Sequence, residues 1–543
     1  MNKYFPIAMI LFVASSFTSF AQKNVKQTPE KPKLIVGIVV DQMRFDYLYR
    51  YYDKYSKGGF KRLMQEGYNC KNNHYSYVPT YTGPGHASIY TGSVPAINGI
   101  AGNDWYDRDS KKSMYCAEDT TVSTVGSTSK AGLMSPRNLL VTTITDQLRL
   151  ATNFGSRVIG ISQKDRGSIL PAGHTANASY WFDSASGNWI TSTYYMKELP
   201  SWVKTVNDKR PADQYLKQPW TPLLPLSDYT ESTSDNQPYE RSLPGEEAPV
   251  FPHKIANYEV LRTSPGGNTI TKDFAIDALK NEQLGKGKFT DFLAVSFSST
   301  DYVGHSFGPN SIEAEDTYIR LDRDIEQLLT YLDSYLGKEN VLVFLTADHG
   351  VANIAAFNQS VNIPAGMQDD RKIGKALDTH LKEKLGEGKW IEYAINDQIY
   401  FNNDLLASKG VKYETVFELT KAFIMQLEGV ANVVDLHNLS ANLVPDYQLG
   451  KIKNGMNVKR SGDVYVMKKP NWMSGSSMMG TTHGSIYTND THVPLLWYGW
   501  KIQSKYTTQR TEIVDISATL AALLDIQEPN GCVGLPIQGM VKE

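Results

Sequence analysis

The sequence predicts an α/β protein built on a mostly parallel sheet flanked by helices, with two insertions at the strand ends. Three observations carry that expectation. Short, nearly continuous apolar runs recur along the chain, as strands buried on both faces require. Helix-period apolar stripes lie between several of them. The chain has 543 residues, 41% of them hydrophobic, enough for a sizeable core. At roughly 100–200 residues per domain, that is two or three ordinary domains or one large one.

The elements follow in order. Lys3, an apolar run from Phe5 to Val13, and the small-x-small triplet Ser19-Phe20-Ala21 form the pattern of a secretory signal peptide over residues 1–21. Cleavage after Ala21 would leave one large domain, 22–543, in the periplasm or secreted. No later apolar run approaches the roughly 18–20 residues that cross a bilayer. Lys33 to Val40 reads as the first strand and ends at Asp41. Val158 to Ser162 reads as the second and ends near Lys164. Phe292 to Phe297 precedes Asp301, and Val341 to Leu345 precedes Asp348. Val493 to Trp497 follows a loop holding His483. The clearest helix places Tyr318, Leu321, Ile325, Leu328, Leu329 and Leu332 on one stripe, with Gly337 as its stop. Another helix is expected from Ile513 to Leu524. The stretches 172–285 and 355–480 fit the alternation poorly and are read as insertions covering the site. In such sheets, sites lie beyond the carboxyl ends of the strands.

Charge and cysteine content narrow the function. Lys+Arg number 55 against 57 Asp+Glu, a net charge of −2, which argues against a dedicated binder of nucleic acid or anionic membrane. Cys70, Cys116 and Cys532 form an odd set; the first two could pair in an oxidising compartment. No CxxC pair offers a thiolate zinc site.

The residues at the strand ends carry the chemistry. Asp301 and His305 are four apart, which sets both on one side of a helical turn. With Asp41, Asp348, His349 and His483 they make three carboxylates and three imidazoles. Mixed N/O donors suit zinc, three per ion leaving a position open, so six residues can hold two ions. Such a pair can activate a nucleophile and stabilise a leaving oxygen. Of the other histidines, His74, His174, His253, His380, His437 and His492 receive no metal role, and His86 is read as packing a helix. Thr82, in PTYTGPG, is a candidate nucleophile. Its hydroxyl needs activation, and a helix N-terminus there would favour phosphate. Thr80 is its nearest rival. Lys164 and Arg166 in QKDRG share a face, where they could clamp phosphate oxygens; Lys-Asp-Arg is otherwise an ordinary solvated turn. Asp165, between them, should point away. Asn103 in AGNDW reads as a turn-forming Asn-Asp.

The segments VVDQMRFDYLYRYY, VPTYTGPGHASIYTG, GIAGNDWYD, QKDRGSILPAGH, SSTDYVGHSFGPNS, TADHG and GTTHGS together resemble the alkaline phosphatase superfamily, in its nucleotide pyrophosphatase/phosphodiesterase-like branch. The resemblance covers almost the whole mature chain. It implies an alkaline phosphatase-like catalytic domain and two Zn2+ ions. Asp301, His305 and His483 would hold one zinc; Asp41, Asp348 and His349 the other, with Thr82 bridging to the second as nucleophile. Asn103, Lys164 and Arg166 would bind the non-bridging oxygens, the lysine and arginine marking phosphate monoesterases. The implied reaction is hydrolysis of small phosphate monoesters through a phosphothreonine. The alternatives are a phosphodiesterase of the same superfamily and a non-catalytic zinc- or phosphate-binding envelope protein. A sulfatase is disfavoured because the Cys/Ser-x-Pro-x-Arg motif is absent.

Overall fold

In the computed structural model, Met1 and residues 30–540 are described; the rest of the leader expected at 1–21 lies outside them. β1 (Leu34–Val40), buried at every residue, runs at the centre of a ten-stranded sheet. On one side it pairs in parallel with β3 (Asp291–Phe297), which pairs in parallel with β2 (Val158–Ser162). On the other it pairs in parallel with β4 (Val341–Thr346). These four strands are buried along their whole length, so both faces of the sheet are covered, as their unbroken apolar sequences require. β5 (Leu495–Gly499) lies antiparallel to β4 and makes the sheet mixed. It begins two residues later than the apolar run, just past Pro494, which has no N–H for the ladder.

The helices that matter for the site each leave a strand end. α1 (Thr82–Thr91) packs against α2 (Asp165–Ala172), which follows β2. α3 (Ser299–Phe307) follows β3, and α4 (Ile312–Tyr335) carries the stripe read from the sequence. Gly337 ends that helical region with φ 89°.

The two stretches that break the alternation are built differently from one another. Within 172–285, Ala178–Asp183 pairs in parallel with β2 and Asn188–Ser192 turns back along it, so both strands belong to the central sheet. The long irregular run that follows is pinned to the first turns of α4. His253 meets Glu313, Ser232 meets Glu315, and Trp220 and Tyr229 both donate to Asp316. Residues 355–480 instead form a cap with a four-stranded antiparallel sheet of their own, in the order Ile391–Ile395, Gln398–Phe401, Val464–Lys468, Val430–Asp435. Leu377, Trp390, Val416 and Ile424 fill a separate hydrophobic core beneath it. All three cysteines are free thiols.

Candidate active site

The strand ends converge on one buried cluster. Asp41 follows β1, Asp348 and His349 follow β4, Asp301 lies in the first turn of α3, and Lys164 caps α2. The His349 Nε2 atom lies 3.5 Å from both Asp41 Oδ1 and Asp348 Oδ2. His305 Nε2 lies 3.1 Å and His483 Nε2 3.5 Å from Asp301 Oδ1. The rings of His349 and His483 stack with centroids 3.5 Å apart.

Each imidazole is aimed by the same device. His305 Nδ1 donates to the Thr481 carbonyl at 2.8 Å, His349 Nδ1 to the Gly350 carbonyl at 2.9 Å, and His483 Nδ1 to the Thr80 carbonyl at 2.8 Å. A carbonyl only accepts, so Nδ1 carries a proton and Nε2 is the nitrogen turned toward the carboxylates.

This donor set fits metal cations. Asp301, His349 and His483 bring ligand atoms within 4.8 Å of one another, and so do Asp41, Asp348 and His349. Asp41 Oδ1 and Asp348 Oδ2 are buried and accept no hydrogen bond, while Asp41 Oδ2 faces the Lys164 ammonium at 2.7 Å. Burial pushes the Asp41 carboxyl up to about 6 despite Lys164 beside it. Burial and the neighbouring Asp41 raise Asp348 well above the carboxylate range. Burial would raise Asp301 too, but His305 and Lys164 hold it well below. Anionic oxygens left without donors in an interior are the positions a cation stabilises.

The nucleophile candidate sits at the edge of this cluster. Thr82 Oγ1 is 3.4 Å from His349 Nε2, and Thr82 opens α1. The Thr80 hydroxyl, in contrast, donates to the Ser485 carbonyl at 2.9 Å. Gly85 allows the approach of α1, because a Cβ there would collide with the Asp348 backbone. His86 lies beneath, fully buried, with Nδ1 on the Thr82 carbonyl and Nε2 on Ser296 Oγ. Burial lowers it to about 3, so it is neutral.

The phosphate-clamp candidates are arranged less uniformly. Lys164 Nζ stands 2.7 Å from Asp41 Oδ2 and 2.5 Å from Asp301 Oδ2, bridging the two acidic groups, and 5.0 Å over the Tyr302 ring. Arg166 is held by Tyr115, whose hydroxyl lies 3.0 Å from Nη1; its Nε is buried without an acceptor. The Tyr115 hydroxyl also donates to Asp165, which is thereby turned aside. Asn103 Oδ1 accepts from the Gly83 N–H at 2.8 Å. That bond occupies the Gly83 N–H, a backbone donor expected to face phosphate, and leaves the Asn103 side-chain N–H2 as the remaining donor.

Two contributors escaped the sequence reading. Gln42 donates from its backbone to Asp348 Oδ1 at 3.1 Å and from its side chain to Asp301 Oδ1 at 2.6 Å, so it ties the two carboxylate groups together. It does so with φ 65°. Gly304 leaves room for it, since a Cβ there would collide with Gln42 Oε1. The only signal was adjacency to Asp41. Tyr115 gave none.

Comparison with known proteins agrees with this geometry. A family model described as type I phosphodiesterase / nucleotide pyrophosphatase matches residues 35–492. The chain is 49% identical over 523 residues to a Myroides odoratus protein named calcium-transporting ATPase, with 95% of each covered. It is 46% identical over 543 residues to alkaline phosphatase PhoV of Synechococcus elongatus, with 98% of each covered. It superposes on the crystal structure of wild-type alkaline phosphatase PafA with a TM-score of 0.92 and 47% identity, covering 94% of this chain and 99% of that one. With most of its length matched and its fold shared throughout, the chain belongs to the type I phosphodiesterase / nucleotide pyrophosphatase family.

Proposed function

We propose that this chain is an alkaline phosphatase, hydrolysing phosphate monoesters by transfer of the phosphoryl group to Thr82 and then to water. The observation that carries the reading is the meeting of a buried hydroxyl at a helix N-terminus with two cation-capable groups that share His349. The names of PhoV and PafA support a monoester substrate.

Asp301, His305 and His483 would hold one Zn2+, and Asp41, Asp348 and His349 the other; His349 also comes within ligand distance of Asp301 and His483, while His305 joins the first set through its 3.1 Å approach to Asp301. When bound, the cations supply Lewis-acid charge that lowers the pKa of a hydroxyl or water and stabilises a leaving oxygen. The chain's own residues do the rest. Thr82 Oγ1 is held at the site by the start of α1; it gives up its proton and forms the bond to phosphorus as the ester P–O bond breaks, and the departing alkoxide takes up a proton and leaves as the alcohol. Water then displaces phosphate from Thr82, which regains its proton. The Asn103 amide, freed by the bond from Oδ1 to Gly83, donates to a non-bridging oxygen. The unpartnered Nε of Arg166 is a second donor. Lys164 adds positive charge. A monoester carries one more anionic oxygen than a diester, so these cations favour it selectively.

Phosphate release from ATP is the same transfer, which reconciles the name of the Myroides relative with the reading. Among the described residues no helix is long and apolar enough to cross a membrane. Cleavage after Ala21 would place the enzyme in the periplasm or medium, to be checked by N-terminal sequencing of exported protein. The decisive test compares kcat/KM on a phosphate monoester and its methyl diester for wild type and the double variant Lys164→Ala/Arg166→Ala. A wild-type preference for the monoester, lost mainly on the monoester in the variant, is expected. A wild-type preference for the diester would overturn the reading in favour of a phosphodiesterase. Zinc retained with no turnover of any ester would indicate a binding protein.

A further inference from the structure

Gly102, Asn103 and Asp104 lead into a hairpin formed by Asp104–Asp107 and Lys112–Tyr115. The tip of a cap hairpin stands against them. Its strands Ile391–Ile395 and Gln398–Phe401 are joined by the two-residue turn Asn396-Asp397, with φ 57° and 60°, the paired left-handed residues that a tight hairpin turn needs. Asn396 Nδ2 donates to the Asp104 carbonyl at 2.7 Å. The same nitrogen packs on Gly102, where a Cβ would come within 2.5 Å of it. Asn396 therefore touches the residues on both sides of Asn103.

The contact is rigid from both directions. On the site side, the Asn103 carbonyl accepts from the Cys116 N–H at 2.8 Å and its Oδ1 from the Gly83 N–H at 2.8 Å. On the cap side, Asp397 Oδ1 is held by Lys468 Nζ at 2.5 Å and Ser474 Oγ at 2.7 Å, and its N–H by Asp370 Oδ2 at 3.0 Å. Tyr106 and Tyr393 stack alongside, with centroids 5.4 Å apart and planes 13° from parallel. A run of fixed contacts thus leads from the interior of the cap to the Asn103 amide.

We propose that Asn396 is a positioning residue through which the cap sets the direction of the Asn103 amide; this rests on the reading of Asn103 as a donor to a phosphate oxygen. A hydrogen bond aimed at a transferring group is sensitive to placement, an error near 1 Å costing about a hundredfold in rate. The test is a double-mutant cycle in the metal-loaded enzyme, with kcat and KM for a phosphate monoester measured beside the melting temperature. Asn396→Gly keeps the left-handed turn and removes the amide. Asn396→Asp keeps the turn and sets an acceptor against the Asp104 carbonyl, so the question stays open to test if one variant folds poorly. Either should lower kcat/KM by about tenfold, mostly in kcat, and should add nothing once Asn103→Ala is present. An unchanged kcat/KM, or an equal loss in both backgrounds, would overturn the positioning role while leaving the site reading intact. If Asn103→Ala alone left kcat/KM unchanged, both readings would fall together.

Discussion

Lys164 and Lys468 occupy matching surroundings in two parts of the molecule. Each is buried, and each stands within 3.1 Å of two aspartates from separate elements: Asp41 and Asp301 for the first, Asp370 and Asp397 for the second. The cap cluster is closed. Asp397 Oδ1 also accepts from Ser474, and Asp370 Oδ2 from the Asp397 N–H. The strand-end cluster is open, with Asp41 Oδ1 and Asp348 Oδ2 buried and accepting no hydrogen bond. The histidines repeat the contrast. His253 commits Nδ1 to Glu246 and Nε2 to Glu313, whereas His349 and His483 commit Nδ1 to a carbonyl and direct Nε2 toward carboxylates. The same residue types serve as structural ties in one place and form cation-capable groups in the other. What separates the two lysine clusters is acceptor capacity left unused at the strand ends.

The comparison predicts that breaking the open cluster costs activity and breaking a closed one costs stability. The largest effect should follow metal removal. Chelation should lower phosphatase turnover by about a thousandfold or more, since Lewis-acid stabilisation is worth several kcal/mol, and re-added zinc should restore it. Elemental analysis alongside the assay checks both halves; full activity in metal-free protein would erase the distinction. Next comes Lys468→Met, which leaves two carboxylates buried without their cation. It should destabilise the fold by about 3–5 kcal/mol in urea unfolding. A loss of kcat instead, with stability unchanged, would mean that the cap cluster is part of the chemistry.

The smallest effect concerns pH. Burial alone would lower the His253 pKa, but Glu313 and Glu246 raise it above the ordinary histidine value. A folded pKa above the unfolded one stabilises the fold fully below the unfolded value, and the contribution disappears as pH rises through the folded value. The melting temperature should therefore fall on the alkaline side, and His253→Gln should flatten that part of the profile. A profile identical in the variant would remove His253 from the account.

Much of this was legible in the sequence because the chemistry sits where strands end. Asp41, Asp301 and the Asp348-His349 pair each follow an unbroken apolar run, and burial on both faces forces such runs to the sheet centre. His305 follows from its spacing to Asp301 on α3. The strands Ala178–Asp183 and Asn188–Ser192 were not legible. Their buried positions hold Tyr, Trp, Ser and Thr, which read as loop composition, and only pairing with β2 reveals them as sheet. Gln42 was missed for another reason. Its role depends on a left-handed backbone and on space left by Gly304, and neither has a sequence period. The partners of Lys164 were hidden too, because they come from the ends of β1 and β3 rather than from its own neighbourhood.

The strand order has a consequence for when the enzyme comes into being. β5, from the last part of the chain, lies between β4 and the early strand Tyr68–Cys70, so the sheet is completed by insertion rather than by extension at an edge. His483 arrives with the same segment, and through the Thr80 carbonyl it docks beside the start of α1. Contacts so distant along the chain form late and slowly, because loop closure precedes their reward. Asp41, Asp301, Asp348 and His349 all precede His483 and β5 along the chain. Truncations that remove β5 and the His483 loop should therefore abolish turnover rather than diminish it, which an assay of C-terminally shortened chains checks.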